Sequence, residues 1–550
     1  MSEQQPPPGV PEYLEPGSGP VLPPDPTAPT ADSAPGRGRG RRAWWIGGGV
    51  VALLGLGAGA WAALSFFQQG SQPAEALPST TVGYLSIDLD PSGGQKIDAF
   101  RTLNKFPAFK DQVGVSSVAQ LRHKLGEQLI SNSGCPTLDY SRDVDPWLGD
   151  RMAGAVVPVG GSPHLVVVVQ VTDEDKARAG IAKIDACNDT GDDGVVVEHG
   201  WAIMAESQEI ADAVSTAAGK SSLADDATYQ KWTKAVGDAG VVNAYMSPDA
   251  GSTLAQELRP WFTPELSGFS EGTAVASAYH AQSADSGDDP FGSALSGFQG
   301  GAATLRFTGD GLELAMAGDG STSGLSELTG TTGGELVRRL PTDTAAAAGI
   351  TFKPGWLSRR IDALSAALGG GMSGADAQQE LKQETGLSVD DIETLLGSGV
   401  ALSVSRDLDL EAAQNTTDGT GVPVAATVKG DPQAIGAVLD KIRAKSGDQA
   451  VLGSDAGDGL VVIGPTPDYR ATVLAGGNLG DDDTFRSVVP DADHASSVFF
   501  VNVDSLEPAI SKATAGDQET LDNLTPLRAL GISTWTDNGV TRFSFKVSTN

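Results

Sequence analysis

Residue types that could do chemistry are sparse in this chain. Gly219-Lys220-Ser221 matches the end of a phosphate loop, G-x-x-x-x-G-K-[ST], in which backbone amides cradle phosphates and the lysine reaches them. The first glycine of that pattern falls on Val214, and the tripeptide ends an apolar-periodic helix instead of opening one. It reads as a glycine helix stop with a polar turn, and no nucleotide is expected. The five histidines (His123, His164, His199, His280 and His494) are scattered, without a metal-ligand partner at short spacing. No S-x-x-K or H-E-x-x-H occurs. Asp88-Leu89-Asp90 has the first two positions of a calcium loop but lacks the rest, and its counterpart near Lys353-Pro354-Gly355 has neither acid. No catalytic residue, cofactor or metal ligand is assigned.

Two further sets of residues stand out. Cys135 and Cys187 are the only cysteines, and an even pair outside the cytoplasm is expected to bond. Closing a loop of about 50 residues stabilises by roughly 4 kcal/mol in the chain-entropy model. The second set is a repeated element. Leu223-Ala224-Asp225-Asp226-Ala227-Thr228-Tyr229 returns as Leu479-Gly480-Asp481-Asp482-Asp483-Thr484-Phe485. A functional reading makes Asp225, Asp226, Asp481 and Asp482 a cation or ligand site. The structural reading, which we prefer, uses an Asp as helix N-cap with Tyr229 or Phe485 anchoring the helix in the core.

The elements that position these residues begin with a membrane signal. Arg37, Arg39, Arg41 and Arg42 precede an uncharged apolar run, of which Trp44 to Phe67 gives 24 residues, about 36 Å as a helix against a bilayer core of about 30 Å. Trp44, Trp45, Trp61, Phe66 and Phe67 sit toward its ends, where aromatic rings favour the interface. Positive flanks stay cytoplasmic, so residues 1–36 are expected inside and the bulk of the chain outside. Ala74-Glu75-Ala76 could pass for a signal cleavage site, but the run exceeds a signal h-region, and an uncleaved anchor is the reading. Gly55 and Gly59 form a GxxxG pair.

Residues 1–36 hold 11 prolines and no Lys or Arg, the composition of a disordered, partly polyproline tail. From residue 71 on, 65 acids against 33 bases leave a formal charge of −32, of −33 for the whole chain. Such a surface repels nucleic acid and anionic headgroups. The acids lie in Gly-rich loops and not in one block, as solubility requires.

The outer part also contains an internal duplication. Lys96-Ile97-Asp98-Ala99-Phe100 recurs as Arg360-Ile361-Asp362-Ala363-Leu364, and Val144-Asp145-Pro146-Trp147-Leu148-Gly149 is echoed near Val389-Asp390-Asp391 and Leu396-Gly397. The Asp-Asp element follows in both copies. The ends match as the Gly309-Asp310-Gly311-Leu312 and Asn538-Gly539-Val540 hairpin signals. A period above 200 residues means duplicated domains. The expected organisation is a tail (1–36), an anchor (37–70), a linker (71–78), repeat 1 (79–320), a connector (321–339) and repeat 2 (340–550). Each copy mixes apolar strands (Leu165 to Val171; Val424 to Val428) with capped helices from Asp173, Ser207, Asp431 and Thr466. The fold class is α+β: two tandem copies of a mixed or antiparallel-sheet domain outside a single N-terminal transmembrane helix.

A Pro-rich tail, an Arg-flanked Gly/Ala-rich anchor and a duplicated acidic exterior with the LxDDxT[YF] element resemble a family of high-GC Gram-positive bacteria carrying domain of unknown function 3352. The resemblance implies a cell-envelope location and brings no activity or catalytic residue. The expected function is an extracytoplasmic interaction or scaffold module, partnered by the membrane through its helix and by an envelope protein or wall polymer. The alternative is an extracytoplasmic hydrolase or ligand-binding protein with a site between the two copies.

Overall fold

The computed structural model describes residues 72–550, apart from 89–92, 114–119, 121–122, 125, 128–129, 131–134, 136, 189–192, 251–297, 320–329, 359–360, 362–373, 417–418, 447–451 and 514–516. The tail, the arginine cluster and the apolar run lie outside the described residues. Among the described residues no helix is long and apolar enough to cross a membrane.

One antiparallel sheet of sixteen described strands organises the chain. Its first eight are β1 (Gly83–Asp88), β2 (Leu148–Val159), β3 (Ser162–Val171), β4 (Gly194–Glu198), β5 (Trp201–Ala205), β6 (Val242–Met246), β7 (Gly301–Thr308) and β8 (Gly311–Asp319). The rest are β9 (Thr344–Thr351), β10 (Gly399–Ser405), β11 (Val424–Lys429), β12 (Ser454–Gly457), β13 (Leu460–Ile463), β14 (Ser497–Asn502), β15 (Leu527–Asp537) and β16 (Val540–Thr549). The spatial order is β12-β13-β11-β10-β9-β14-β15-β16-β8-β7-β6-β1-β2-β3-β5-β4. Counted within itself, each half runs 4-5-3-2-1-6-7-8, so the order reads the same from either edge. The halves meet where β8 pairs with β16, from Gly311 opposite Ser548 to Asp319 opposite Val540. This ladder makes one continuous sheet of the two halves.

Turn chemistry sets the hairpins. His199 and Gly200 between β4 and β5, Asp458 and Gly459 between β12 and β13, and Asn538 and Gly539 between β15 and β16 all have positive φ, as tight hairpins require. Ser207 caps the helix Gln208–Ala218 by accepting from Ile210 N, and Asp173 Oδ1 accepts from Lys176 N at the start of Glu174–Asn188.

Helices cover both faces. On face one, Gln208–Ala218 and Ala227–Ala235 bury Val168, Ile203, Tyr84 and Tyr245. In the other half Thr332–Arg338, Pro467–Ala475 and Asp483–Val488 bury Val462, Val498 and Phe500. On face two, Glu174–Asn188 buries Val169 and Val197, Gly93–Leu103 packs on Phe307, and Pro432–Ser446 packs on Val428 and Val461.

Two expected boundaries shift. Residues 71–78 are not a bare linker: Pro73–Ala76 is a 3-10 helix with Ala74 and Ala76 buried, and Leu77 is fully enclosed. Within the expected connector 321–339, Thr332–Arg338 is a helix whose Leu336 and Val337 belong to the second core. It lies close to β9 because Gly333 has no side chain; a Cβ there would stand 2.9 Å from Ile350 Cα.

Candidate interaction surface

The repeated Asp-Asp element does the same local work in each half. Asp226 Oδ1 accepts from Thr228 N (2.9 Å) and Tyr229 N (2.8 Å), and Asp482 Oδ1 accepts from Phe485 N (2.9 Å). Both are N-caps, of Ala227–Ala235 and Asp483–Val488. Asp225 and Asp481 end the 3-10 turns just before them, Leu223–Asp225 and Leu479–Asp481. Tyr229 meets Tyr245 edge-on at 5.1 Å between centroids, and Phe485 meets Phe500 edge-on at 5.1 Å. Tyr84 joins the first cluster, 5.8 Å from Tyr229. Burial pushes the Tyr229 phenol up to about 12 and raises those of Tyr84 and Tyr245 as well, so all three stay protonated.

The remaining sequence candidates disperse. Cys135 and Cys187 are bonded with Cα atoms 5.8 Å apart, tying the end of Glu174–Asn188 to the segment before β2. Gly219 closes its helix in a right-handed conformation, and Ser221 O accepts from Ser79 N, so Gly219-Lys220-Ser221 straps the chain entry. His164 Nδ1 lies 2.7 Å from Glu206 Oε1, and His123 Nε2 lies 2.7 Å from Ser141 Oγ. His199 occupies a hairpin turn, and His494 N donates to Asp491 O. His280 lies outside the described residues. Asp88 Oδ2 accepts from Arg151 Nε (2.8 Å), with both side chains buried. Among the described residues no group of three His, Cys, Asp or Glu could hold a metal ion.

The sequence reading missed an ion pair present in both halves. Asp143 accepts from Lys183 Nζ (2.7 Å) and from Arg142 Nη2 (2.6 Å). Asp391 accepts from Lys441 Nζ (2.6 Å) and from Ser388 N (3.0 Å). Hydrogen bonding from Arg142, then Lys183, holds the Asp143 carboxyl well below the usual range. Lys441 first, then the Ser388 amide, hold Asp391 at about 2. Each pair fastens a connecting helix (Glu174–Asn188 or Pro432–Ser446) to the helical segment before β2 (Tyr140–Val144) or β10 (Val389–Leu396). Asp143 and Asp391 each stand six residues before a glycine, Gly149 and Gly397. The signal for the missed match was Asp followed five residues later by Leu-Gly.

What the arrangement leaves for contact is the middle of face two. Strand register defines three parallel rows across β10, β9, β14, β15, β16 and β8. The central row is Leu402, Ala348, Phe499, Ile532, Phe545 and Leu314. One side of it runs Val400, Ile350, Ser497, Thr534, Phe543 and Met316; the other runs Val404, Ala346, Val501, Leu530, Val547 and Leu312. None of these residues is charged, in a chain with 70 acids. The same strands carry Glu313, Arg542 and Lys546 on face one. Three of the strip's large apolar side chains stay open to solvent: Leu402 is 54 %, Met316 45 % and Phe499 40 % exposed. A row of large apolar groups left in water costs about 25 cal/mol per Å², and a charge-free contiguous patch marks a contact surface.

The sheet edges do not offer a second surface of this kind. Val195, on edge strand β4, has both backbone groups engaged by one side chain: its N donates to Gln208 Oε1 (3.1 Å) and its O accepts from Gln208 Nε2 (3.3 Å). Arg178 Nη2 donates to Val197 O. The other edge, β12, is four residues long. Both are ways of blocking strand addition. A cavity of about 220 Å³ lies between Val503–Ala513 and Gln518–Leu524, lined in part by Asp504, Glu507 and Asn550; it is smaller than ordinary small-molecule sites.

A family model described as a protein of unknown function (DUF3352) matches residues 46–198, and the chain resembles that family over this stretch. The match reaches from the apolar run to the last residue of β4. No curated protein and no solved structure matches the chain.

Proposed function

We propose that this is a single-pass, membrane-anchored envelope protein whose outer part is a protein-interaction module built from two copies of one α+β unit. The copies are residues from about 72 to 320 and from about 330 to 550. The palindromic strand order, the paired aspartate caps and the paired Asp–Lys bridges support the duplication. The Arg-flanked run of 24 uncharged residues supports the anchor. Burial of Ala74 and Ala76 supports an uncleaved chain, since cutting there would sever part of the first core.

The charge-free strip on face two carries the interaction reading. A wall polymer is hydrophilic and would gain little from Leu402, Phe499 and Met316; an apolar protein surface would gain much. No observation favours a catalytic site between the copies, because their junction is a hydrogen-bonded ladder. The test is affinity capture from membranes with the full chain and with a Leu402→Asp/Phe499→Asp variant. Recovery of a protein by the first but not the second is expected. Equal recovery by both would remove the strip from the reading. Protease added to intact cells is expected to digest the C-terminal bulk; protection until lysis would remove the anchored topology.

A further inference from the structure

We infer that the occupant of the charge-free strip is the same strip on a second copy of this chain, in a weak two-fold dimer that forms only while the chains are held in a membrane. This rests on the anchored reading of the apolar run.

Charge decides the partner face. Two copies each carrying a formal −32 outside the membrane repel wherever acidic loops meet. The strip over β10, β9, β14, β15, β16 and β8 is a place where two copies can touch without bringing like charges together. Strand addition is hindered at both edges: Gln208 and Arg178 engage Val195 N, Val195 O and Val197 O on β4, and β12 is four residues long. That leaves stacking of sheet on sheet, at a spacing of about 10 Å. Leu402 and Phe499 lie in one half of the sheet and Met316 in the other, so the open side chains straddle the β8–β16 junction. A two-fold contact requires such a self-complementary patch.

Area decides the strength. Six strands of about 4.8 Å each and three rows of about 7 Å each give a strip of roughly 600 Å² per copy. Two such faces bury at most about 1,200 Å², the bottom of the range for stable specific interfaces, and of their large apolar side chains only Leu402, Phe499 and Met316 are open to solvent. The dimer therefore falls apart in dilute solution. An anchor changes this, because two chains confined to one surface meet at a raised effective concentration. Residues 68–72 separate the apolar run from the 3-10 helix at Pro73, a tether of about 17 Å at full extension. Every copy thus starts its folded part within a short reach of the membrane surface.

The experiment uses the full chain in native membranes, with Phe499→Cys, Met316→Cys or Ile97→Cys added singly and a bis-maleimide as cross-linker. Cys135 and Cys187 are bonded to each other. Ile97 is exposed and lies on the helix Gly93–Leu103, off the strip. Phe499→Cys and Met316→Cys are expected to give a product of twice the 56.2 kDa chain mass, at least five-fold above Ile97→Cys. Adding Leu402→Asp to Phe499→Cys is expected to return the yield to the Ile97→Cys level, with an unchanged proteolysis pattern showing that the variant folds. Equal yields at all three positions, or a product of another mass, would overturn the dimer. Recovery of the chain outside the membrane fraction would instead overturn the anchored reading, and is scored before cross-linking.

Discussion

Substituting Asp225, Asp226 and Asp482 of the repeated element one at a time separates a capping role from a ligand site. Asp226 is the acceptor for two helix N-terminal amides, those of Thr228 and Tyr229, and holds the helix that carries Tyr229 against Tyr84 and Tyr245. Losing an N-cap side chain costs about 0.5–2 kcal/mol. With two amides stranded, Asp226→Ala falls at the upper end, about 1.5–2 kcal/mol. Asp482 accepts from the Phe485 amide, so Asp482→Ala costs about 1 kcal/mol. Asp225 meets the exposed Ser222 hydroxyl, and Asp225→Ala should stay within about 0.5 kcal/mol. With an m-value of about 3 kcal/mol per M in urea, Asp226→Ala lowers the unfolding midpoint by roughly 0.5 M and Asp225→Ala hardly moves it. The assay is urea unfolding of the full chain in detergent, followed by tryptophan fluorescence, with m unchanged between variants. The capping argument fails if Asp225→Ala costs as much as Asp226→Ala. It also fails if millimolar Ca²⁺ raises the wild-type midpoint but not that of Asp226→Ala, the mark of a cation site.

Three other outcomes follow from the geometry. Cys135→Ser/Cys187→Ser opens a loop of 52 residues and should cost about 4 kcal/mol in the chain-entropy model, read as a lower urea midpoint that reductant no longer changes. Asp391 has a folded pKa of about 2 against an ordinary 3.8, so its contribution is present above about pH 4 and is lost as pH falls toward 2. Because Lys441 is largely exposed, that contribution is held to about 1 kcal/mol, and Lys441→Met should flatten the acid limb of stability against pH. Gln208→Ala unmasks Val195 N and O on edge strand β4 and should produce concentration-dependent association in sedimentation, with little change in the unfolding midpoint; a strictly monomeric variant would refute the edge-protection argument.

Local signals were legible in the sequence and long-range ones were not. The helix start at Ser207 and the hairpin turns at His199-Gly200 and Asn538-Gly539 depend on residues adjacent in the chain, where capping and positive φ leave a residue-type signature. The preference for Asp226 and Asp482 as caps is of the same kind. Strand order is different. Pairing β8 with β16 joins residues more than 220 apart in sequence, and no local pattern encodes a partner at that distance. The Asp143–Lys183 and Asp391–Lys441 bridges each join residues 40 or 50 apart, so their equivalence emerges only when both ends are seen together. One clue was in plain sight: Leu77-Pro78 with Thr81 and Leu340-Pro341 with Thr344 recur at a fixed offset. In both, the threonine N donates to the proline O, and the leucine O accepts from Leu223 N or Leu479 N. That shared pattern ties Leu77 and Pro78 to the first core, with Leu77 fully buried.

The junction between the halves explains why the contact strip lies where it does. A sheet that ends in an open edge invites another strand, and each half solves this at its outer edge with Gln208 and Arg178 or with a short β12. At the inner edge the solution is the other half: β8 and β16 close on each other. The seam is locked on face one, where Ser544 Oγ donates to Glu313 Oε1 (3.0 Å) and Arg306 Nε donates to Glu313 Oε2 (2.9 Å). Arg306 Nη1 in turn donates to Val236 O and Asp238 O, and Arg542 Nε to Ala235 O, so the C-terminal end of one half's helix holds a strand from each half. Such a network is costly to break once buried, and it spends the polar residues of these strands on one side. Because strand residues alternate between faces, a seam locked by charge on face one leaves face two to apolar groups. The helices reach it from the flanks, and Leu402, Phe499 and Met316 at the centre remain for a partner.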